Sequence, residues 1–524
     1  MQICGVTAMS IALPTVGRDL GIPTSSLQWL MTAYSLTSGC FLLLFGRLAD
    51  VFGRKHVFLL GDIWLIAFSI ACGFSNQGVT LILMRAFAGI GTAATIPACL
   101  GILAKAFPLS HARSIAFATF SAGAPIGAAF GNVVGGIVTQ YAPISWRAVF
   151  FVMAGIGALT LVGAFFTFPP DGVPPEDRRV DWIGALLITV GLVLFTFVLG
   201  EGEIAPRRWN TAYIVALLVI GLFMIGCFIG WEYYIEFRTD RPPLMRLSLW
   251  TRAGGKFAAV QVIGFLAWSA FSTFIFWCTI YYQTYLGLSP IQTMLRFLPM
   301  SVAGFSVNVV FALVSGHVPA QFLIMFGCIG TGVANLLFAI IEPSGPYWAF
   351  GFPAAIVSVF GADFIFASST LYGAKVAHHH EQSLAGGIFN TVTQTGTAFG
   401  MTLTTIVYDS VVRSQSTKEG IVLNADGTNA SLSAQLRGLR SAQWTCFAFA
   451  MAALIVATVT LRGMGIIGGA AKPTTDPEDP AAKDLESSAP EDKKSDSTGM
   501  IESSAEPPVA GIQVDGTSIR KSAR

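Results

Sequence analysis

Charge is what this chain lacks: 11% of its 524 residues are Asp, Glu, Lys or Arg, against about 25% in an ordinary soluble domain. From Gly21 to Gly46 no residue carries a formal charge, and from Ile63 to Ala104 the single charge is Arg85. Such runs exceed the ~20 residues a spanning helix needs. They exclude a water-soluble globule and place the chain in a bilayer. The charges present nearly balance, for a net of +2, so nothing calls for a nucleic-acid partner. All eight cysteines lie in apolar segments, where small buried hydrophobes are expected rather than a disulfide framework. No cleavable signal peptide precedes the first helix, which is expected to act as the insertion signal. The spans hold no nucleophile–base pair, and His378-His379-His380-Glu381 offers no closed ligand set, so no enzyme, metal or cofactor is expected.

What is present is a series of uncharged runs bounded by charges, Pro or Gly. It predicts an all-α polytopic membrane protein with fourteen transmembrane helices, near 1–14, 27–46, 57–74, 79–104, 114–139, 147–168, 182–200, 211–231, 257–285, 290–313, 318–340, 347–372, 384–408 and 443–461. The first span is short, reaching about 20 Å at 1.5 Å per residue, and leaves an expectation that residues precede Met1. With the first terminus in the cytosol, the cytosolic loops hold thirteen Lys and Arg and the opposite loops eight, which places both termini inside. The one sequon, Asn429-Ala430-Ser431, then falls in the last outer loop as a candidate glycosylation site. After residue 461 the composition turns polar and rich in Pro and Ser, so 462–524 is expected to be a disordered cytosolic tail.

An internal repeat sets the expected architecture. A shift of 269 positions superposes Ser114–Gly131 on Ser383–Gly400 without a gap, and seven of the eighteen pairs are identical, including Phe120/Phe389, Gly127/Gly396 and Gly131/Gly400. The match makes spans five and thirteen equivalent. Two six-helix bundles, 1–168 and 257–461, are therefore expected, with two inserted helices and their flanking loops in 169–256. Paired bundles around a central cavity suggest a rocking transporter with its substrate site near mid-membrane.

Between spans two and three lies the charged decapeptide Gly46–Lys55, GRLADVFGRK. Gly46 and Gly53 permit a tight turn, Arg54 and Lys55 hold it in the cytosol, and Asp50 is placed to accept hydrogen bonds from a nearby helix N-terminus. The decapeptide resembles the signature loop of the major facilitator superfamily, and Gln28-Trp29, Tyr34 and Leu36 fit its 14-helix drug:proton antiporter branch. The resemblance runs from about Thr7 to Arg462 and is closest to fungal exporters of the aminotriazole- and boron-resistance type. It implies that Asp50 and Arg54 form a conformational latch between the halves. It also matches a second motif at Arg85, Gly89 and Gly91, and part of an antiporter motif at Gly123, Pro125, Gly127 and Gly131, with Ala124 and Ala128-Ala129 departing from the pattern. Gly5 stands where the family often carries a helix-one acid.

The polar residues inside the spans are the candidate sites. Asp363 is the deepest acid and the leading proton-coupling carboxylate; Asp62 is the second, with an interfacial cap as its alternative. Arg85 and Arg296 are candidate substrate-pathway residues, since Arg in hydrocarbon costs about 2.5–3.5 kcal/mol at a helix centre; snorkelling to the interface is the alternative. Asn390, Gln394 and Thr397 form one helical stripe expected to line the cavity. Gln283, with Tyr281, Tyr282 and Tyr285, belongs to an outer vestibule or to an interfacial aromatic belt.

The sequence thus predicts a proton-coupled exporter of drugs, toxins or secondary metabolites, monomeric and multi-pass. The plasma membrane is the expected location and the vacuolar membrane the alternative. Two other functions stay open: a facilitator of a small solute such as ammonium or boric acid, and a transport-dead sensor signalling through the tail.

Overall fold

A computed structural model describes residues 2–107, 111–171, 179–202, 205, 207–377, 382–424 and 429–466. The expected metal-free His378–Glu381 run and nearly all of the expected tail lie outside these residues. Fourteen long helices are present: α1 Gln2–Leu20, α2 Thr24–Phe52, α3 Arg54–Gly73, α4 Gly78–Ala106, α5 His111–Tyr141, α6 Arg147–Thr167, α7 Trp182–Glu201, α8 Ala212–Arg238, α9 Lys256–Ile280, α10 Pro290–Val314, α11 Ala320–Ala339, α12 Tyr347–Val376, α13 Gln382–Lys418 and α14 Leu432–Thr460. No β-strand occurs among the described residues.

Twelve of these stretches are long and apolar enough to cross a membrane; α1 and α13 are not among them. In α1 the charged Arg18 and Asp19 of its last turn, both exposed, lower the hydropathy. In α13 the polarity comes from residues turned into protein: Thr391, Thr393, Thr397, Thr402, Thr404 and Thr405 are buried. A helix enclosed by other helices needs no uniformly apolar surface.

Several helices outrun the spans expected from charge. α1 continues through Pro14 to Leu20, α13 runs on to Lys418, and α14 starts well before residue 443. Charged residues mark where a helix leaves hydrocarbon, whereas caps mark where it ends. Ser431 supplies such a cap, its hydroxyl accepting from Ala434 N at 3.1 Å.

Within the first six helices, α1 packs on α5, α2 on α4, and α3 on α4 and α6. A shift of eight helices turns these pairs into α9 on α13, α10 on α12, and α11 on α12 and α14, all of which also pack. Two seams join the sets, α2 with α13 and α5 with α10. The same shift carries one seam onto the other. α7 and α8 pack together, and α7 lies along α2 and α13.

The repeated glycines explain the closeness of α1 to α5 and of α9 to α13. A Cβ at Gly131 would land on Cys4 O and Thr7 Oγ1 of α1; one at Gly400 would land on Ser269 O of α9. Gly396 meets Phe265 O in the same way. Only glycine lets backbones approach so closely.

Candidate transport pathway

The decapeptide is mostly helix rather than turn. α2 continues through Asp50 to Phe52, α3 begins at Arg54, and the reversal is made by Gly53 alone, at φ 102°. A positive φ there is available to glycine at little cost. Gly46 sits within α2, so it makes no turn. Asp50 accepts Arg54 Nε at 3.0 Å and Nη2 at 2.8 Å, and Arg54 Nη1 also donates to Gly101 O of α4. The Asp50–Arg54 pair implied by the family resemblance is thus made within the first set of helices and not between the halves. As an exposed i,i+4 ion pair, Asp50–Arg54 is worth about 0.3–0.5 kcal/mol.

The cap of α3 comes instead from Asp171, beyond the end of α6. Its Oδ1 accepts Lys55 N at 2.9 Å, its Oδ2 accepts His56 N at 3.3 Å, and Oδ2 lies 2.6 Å from His56 Nδ1. Lys55 Nζ in turn donates to Phe165 O at 2.9 Å and Phe168 O at 2.7 Å, where α6 leaves its carbonyls unpaired. Partial burial pushes the Asp171 carboxyl up, but the hydrogen bonds from Lys55 and His56 outweigh it and hold the group below its ordinary value. The stabilisation is therefore full above the unfolded value of about 3.9 and is lost as pH falls through the lowered folded one. Asp171→Ala should cost about 0.5–2 kcal/mol, as loss of a cap does. Thermal unfolding of the purified protein should show the deficit at neutral pH and a shrinking gap from the parent as the medium becomes strongly acidic. The sequence signal was an acid after Phe168-Pro169-Pro170, in a loop whose partner was invisible.

At the opposite face the two sets are tied together. Gln283 Nε2 donates to Ile11 O at 2.7 Å, Ser10 Oγ lies 3.3 Å from Thr279 Oγ1, and Ile291 N donates to Gln140 Oε1 at 3.2 Å. Gln283 is 6% exposed, in a π-helical turn, Tyr281–Tyr285, that extends α9. Tyr281 and Tyr282 are buried with it. They pack on Phe338 with ring centroids 5.9 Å away, so they form an interior plug and not the lipid-facing belt expected. Arg296 stands over the rings of Tyr282 and Tyr347 at 4.9 and 5.4 Å, as a cation–π contact. Its backbone O accepts the Tyr347 hydroxyl at 2.7 Å.

Asp363 lies in the middle of α12, and its carboxylate has no hydrogen-bond or ion-pair partner among the described residues. Ile356, Phe360 and Ala367, at i−7, i−3 and i+4, share its face and pack on the main core cluster, which includes residues of α1, α2, α9 and α10. The carboxylate therefore sits on the inward face of its helix. One turn beyond Ala367, the buried Thr370 hydroxyl is also unpartnered. Asp62 is elsewhere, 2% exposed and accepting Thr160 Oγ1 of α6 at 2.9 Å. It joins α3 to α6, away from both seams.

The α13 stripe divides. Gln394 stands at the α2 seam, where a Cβ on Gly39 would come within 2.8 Å of its Cβ. Thr397 Oγ1 is 3.0 Å from Ser272 Oγ of α9, and Asn390 Nδ2 donates back to Gly386 O at 3.1 Å. Nearby, Trp268 of α9 packs on Phe366 of α12 and Phe389 of α13, at centroid distances of 5.5 and 6.5 Å. Pro125 of the partial antiporter motif crosses Gly304 of α10, where an added Cβ would lie 3.0 Å from the proline ring. Gly127 and Gly131 face α1, whereas Gly123 faces open space. Arg85 lies among α1, α2, α3, α4 and α6, inside the first set of helices and off both seams.

Three carboxylates in the insert, Asp181 and the Glu232–Glu236 pair, escaped the sequence reading. Asp181 caps α7 through Gly184 N at 2.9 Å and accepts Trp231 Nε1 of α8 at 2.9 Å. Glu232, fully buried, accepts Met245 N at 3.3 Å. Together with Glu236, which accepts Leu247 N at 2.6 Å, it pins the segment after α8 to that helix. Their i,i+4 spacing within an apolar helix was the legible signal. Next to them, α2, α7, α8, α9 and α13, with Met245, Leu247 and Trp250, line a partly open, almost wholly apolar cavity of about 330 Å³.

The sequence model of the Major Facilitator Superfamily matches residues 1–401. The Low affinity ammonium transporter of Saccharomyces cerevisiae is 29% identical, the match covering 76% of this chain and 78% of that protein. Efflux pump terJ of Aspergillus terreus is 29% identical, covering 85% and 82%. In fold, an auto-inhibited POT family peptide transporter superposes with a TM-score of 0.59 at 15% identity, covering 87% of this chain and 94% of that one. With helices long and apolar enough for a bilayer, packed in two sets joined by two seams, this chain belongs to the major facilitator superfamily and is a multi-pass membrane transporter of small molecules.

Proposed function

We propose that this protein exports small molecules from the cytosol in exchange for protons, with all fourteen long helices spanning the plasma membrane and both termini inside. The bundles 1–168 and 257–461 rock against each other about the two seams, and the insert 169–256 rides on the α2–α13 seam. The observation that carries this reading is the unpartnered Asp363 carboxylate on the inward face of α12, a group able to take and release a proton where substrate passes. The aromatic wall of Trp268, Phe366 and Phe389, with Gln394 and Thr397 as polar contacts, suits a largely apolar substrate. The protein acts as a monomer and carries a glycan on Asn429 in the outer loop.

The relative named for efflux supports export. The relative named for ammonium, together with Gly5 at the place of the helix-one acid, supports a second reading, facilitated flow of a small solute. Reconstituted vesicles separate them. With an imposed pH gradient, exchange drives substrate uphill and stops when an ionophore collapses the gradient, whereas facilitation runs only downhill and continues unchanged. Gradient-independent flow of every substrate tested would reject the exchange reading.

A further inference from the structure

The buried guanidinium of Arg85 has no countercharge. The residue is 4% exposed, its Nε donates to Leu30 O at 2.9 Å, and its Cζ lies 4.7 Å over the Tyr34 ring. Nη2 is buried with no hydrogen-bond partner. No carboxylate forms an ion pair with it among the described residues; Asp62, on the neighbouring α3, is turned to Thr160. A guanidinium keeps its proton in proteins. A full charge buried without a partner is strongly disfavoured.

Arg85 borders a small, partly open cavity of about 30 Å³ lined also by Gln2, Gly5, Tyr34, Ser69, Cys72 and Met153. The volume suits a single water-sized occupant. Its charged group is the guanidinium, and further donors are the Ser69 hydroxyl, the Gln2 amide, which also carries an acceptor oxygen, and, more weakly, the Cys72 thiol. The Tyr34 hydroxyl is committed to Thr92 Oγ1 at 2.6 Å. A guanidinium with no facing carboxylate selects an anion over a cation, and the small cavity favours a monatomic anion over an oxyanion such as sulfate.

We propose that Arg85 holds a resident chloride-sized anion inside the first bundle, so that the ion ties α1, through Gly5, to α3 and α4. The site is separate from the substrate pathway and stands or falls independently of proton coupling. An ion bound only by the folded state raises the unfolding temperature with its own concentration.

The test uses the full-length protein purified in gluconate and titrated with chloride at constant ionic strength, read by intrinsic tryptophan fluorescence on heating. A saturating upward shift of a few degrees is expected, reproduced by bromide and not by sulfate. Gly5→Asp is the decisive variant. An added Cβ at Gly5 meets only Met153 Sδ, at 3.9 Å, so a side chain can start there without a clash, and its carboxylate, beside the same cavity, would supply the missing charge. That variant should be as stable in gluconate as the parent is in chloride, and should no longer respond to halide. Arg85→Gln should also abolish the response; if it does not fold, the Gly5 variant still decides. Equal unfolding temperatures of the parent in chloride and gluconate would mean that a water occupies the cavity and would overturn the proposal. An undiminished chloride response in Gly5→Asp would do the same by placing the ion elsewhere.

Discussion

Asp363→Asn should abolish pH-driven accumulation of substrate in vesicles while sparing downhill substrate exchange. Asn keeps the shape and the hydrogen-bonding capacity of the side chain but has no titratable proton. Because the native carboxylate has no protein partner to lose, the change leaves no orphaned group behind. The expected loss in accumulation is on the order of tenfold or more, within the range of coupling free energies of about 1–3 kcal/mol. Asp62→Asn provides the contrast. It keeps an acceptor for Thr160, and its site between α3 and α6 lies off the seams, so its accumulation ratio should match the parent. A variant at 363 that still concentrates substrate against its gradient when a proton gradient is imposed would remove the carboxylate from the mechanism.

Gly400→Ala and Gly131→Ala should each cut the yield of folded, monodisperse protein severely, although each adds one methyl group. In both cases the new Cβ collides with backbone of the facing helix, Ser269 O or Cys4 O, and backbone has no rotamer to escape into. Overpacking of a close-packed interface costs about 1–3 kcal/mol, more when the helices are unable to separate. Gly123→Ala, one of the same group of motif glycines, should be silent, since nothing lies within 4 Å of the added atom. Size-exclusion profiles of the three variants in detergent decide the matter. Equal profiles would mean that the helices part without cost.

The fold was legible where physics acts locally along the chain. Uncharged runs located every long helix, because hydrocarbon excludes charge over a fixed length, and the repeated glycines marked the two helices that sit against α1 and α9. Contacts between distant segments were hidden. Asp171 caps α3 from across the α6–α7 connection, and no periodicity announces a partner so far along the chain. The decapeptide was misjudged in form because its charges were taken as the end of α2, whereas helix continues into water until Gly53 stops it. Arg85 and Arg296 were both lone cations in apolar helices, and although a motif match set Arg85 apart, the surroundings of neither were visible. Folding sends one to a pocket among its own bundle and the other onto two tyrosine rings. Tyr281 and Tyr282 read as an outer vestibule or an interfacial belt because their position near a membrane boundary was visible while their burial was not.

The insert makes the two seams unequal. One is flanked by α7; along the other, among the described residues, no inserted helix packs, and Ile126 and Phe130 of α5 and Val302 and Phe305 of α10 are exposed on its flanks. Were the sets to part sideways, a gap at the α5–α10 seam, now closed where Pro125 meets Gly304, would open directly toward acyl chains, whereas one at the α2–α13 seam would open onto α7.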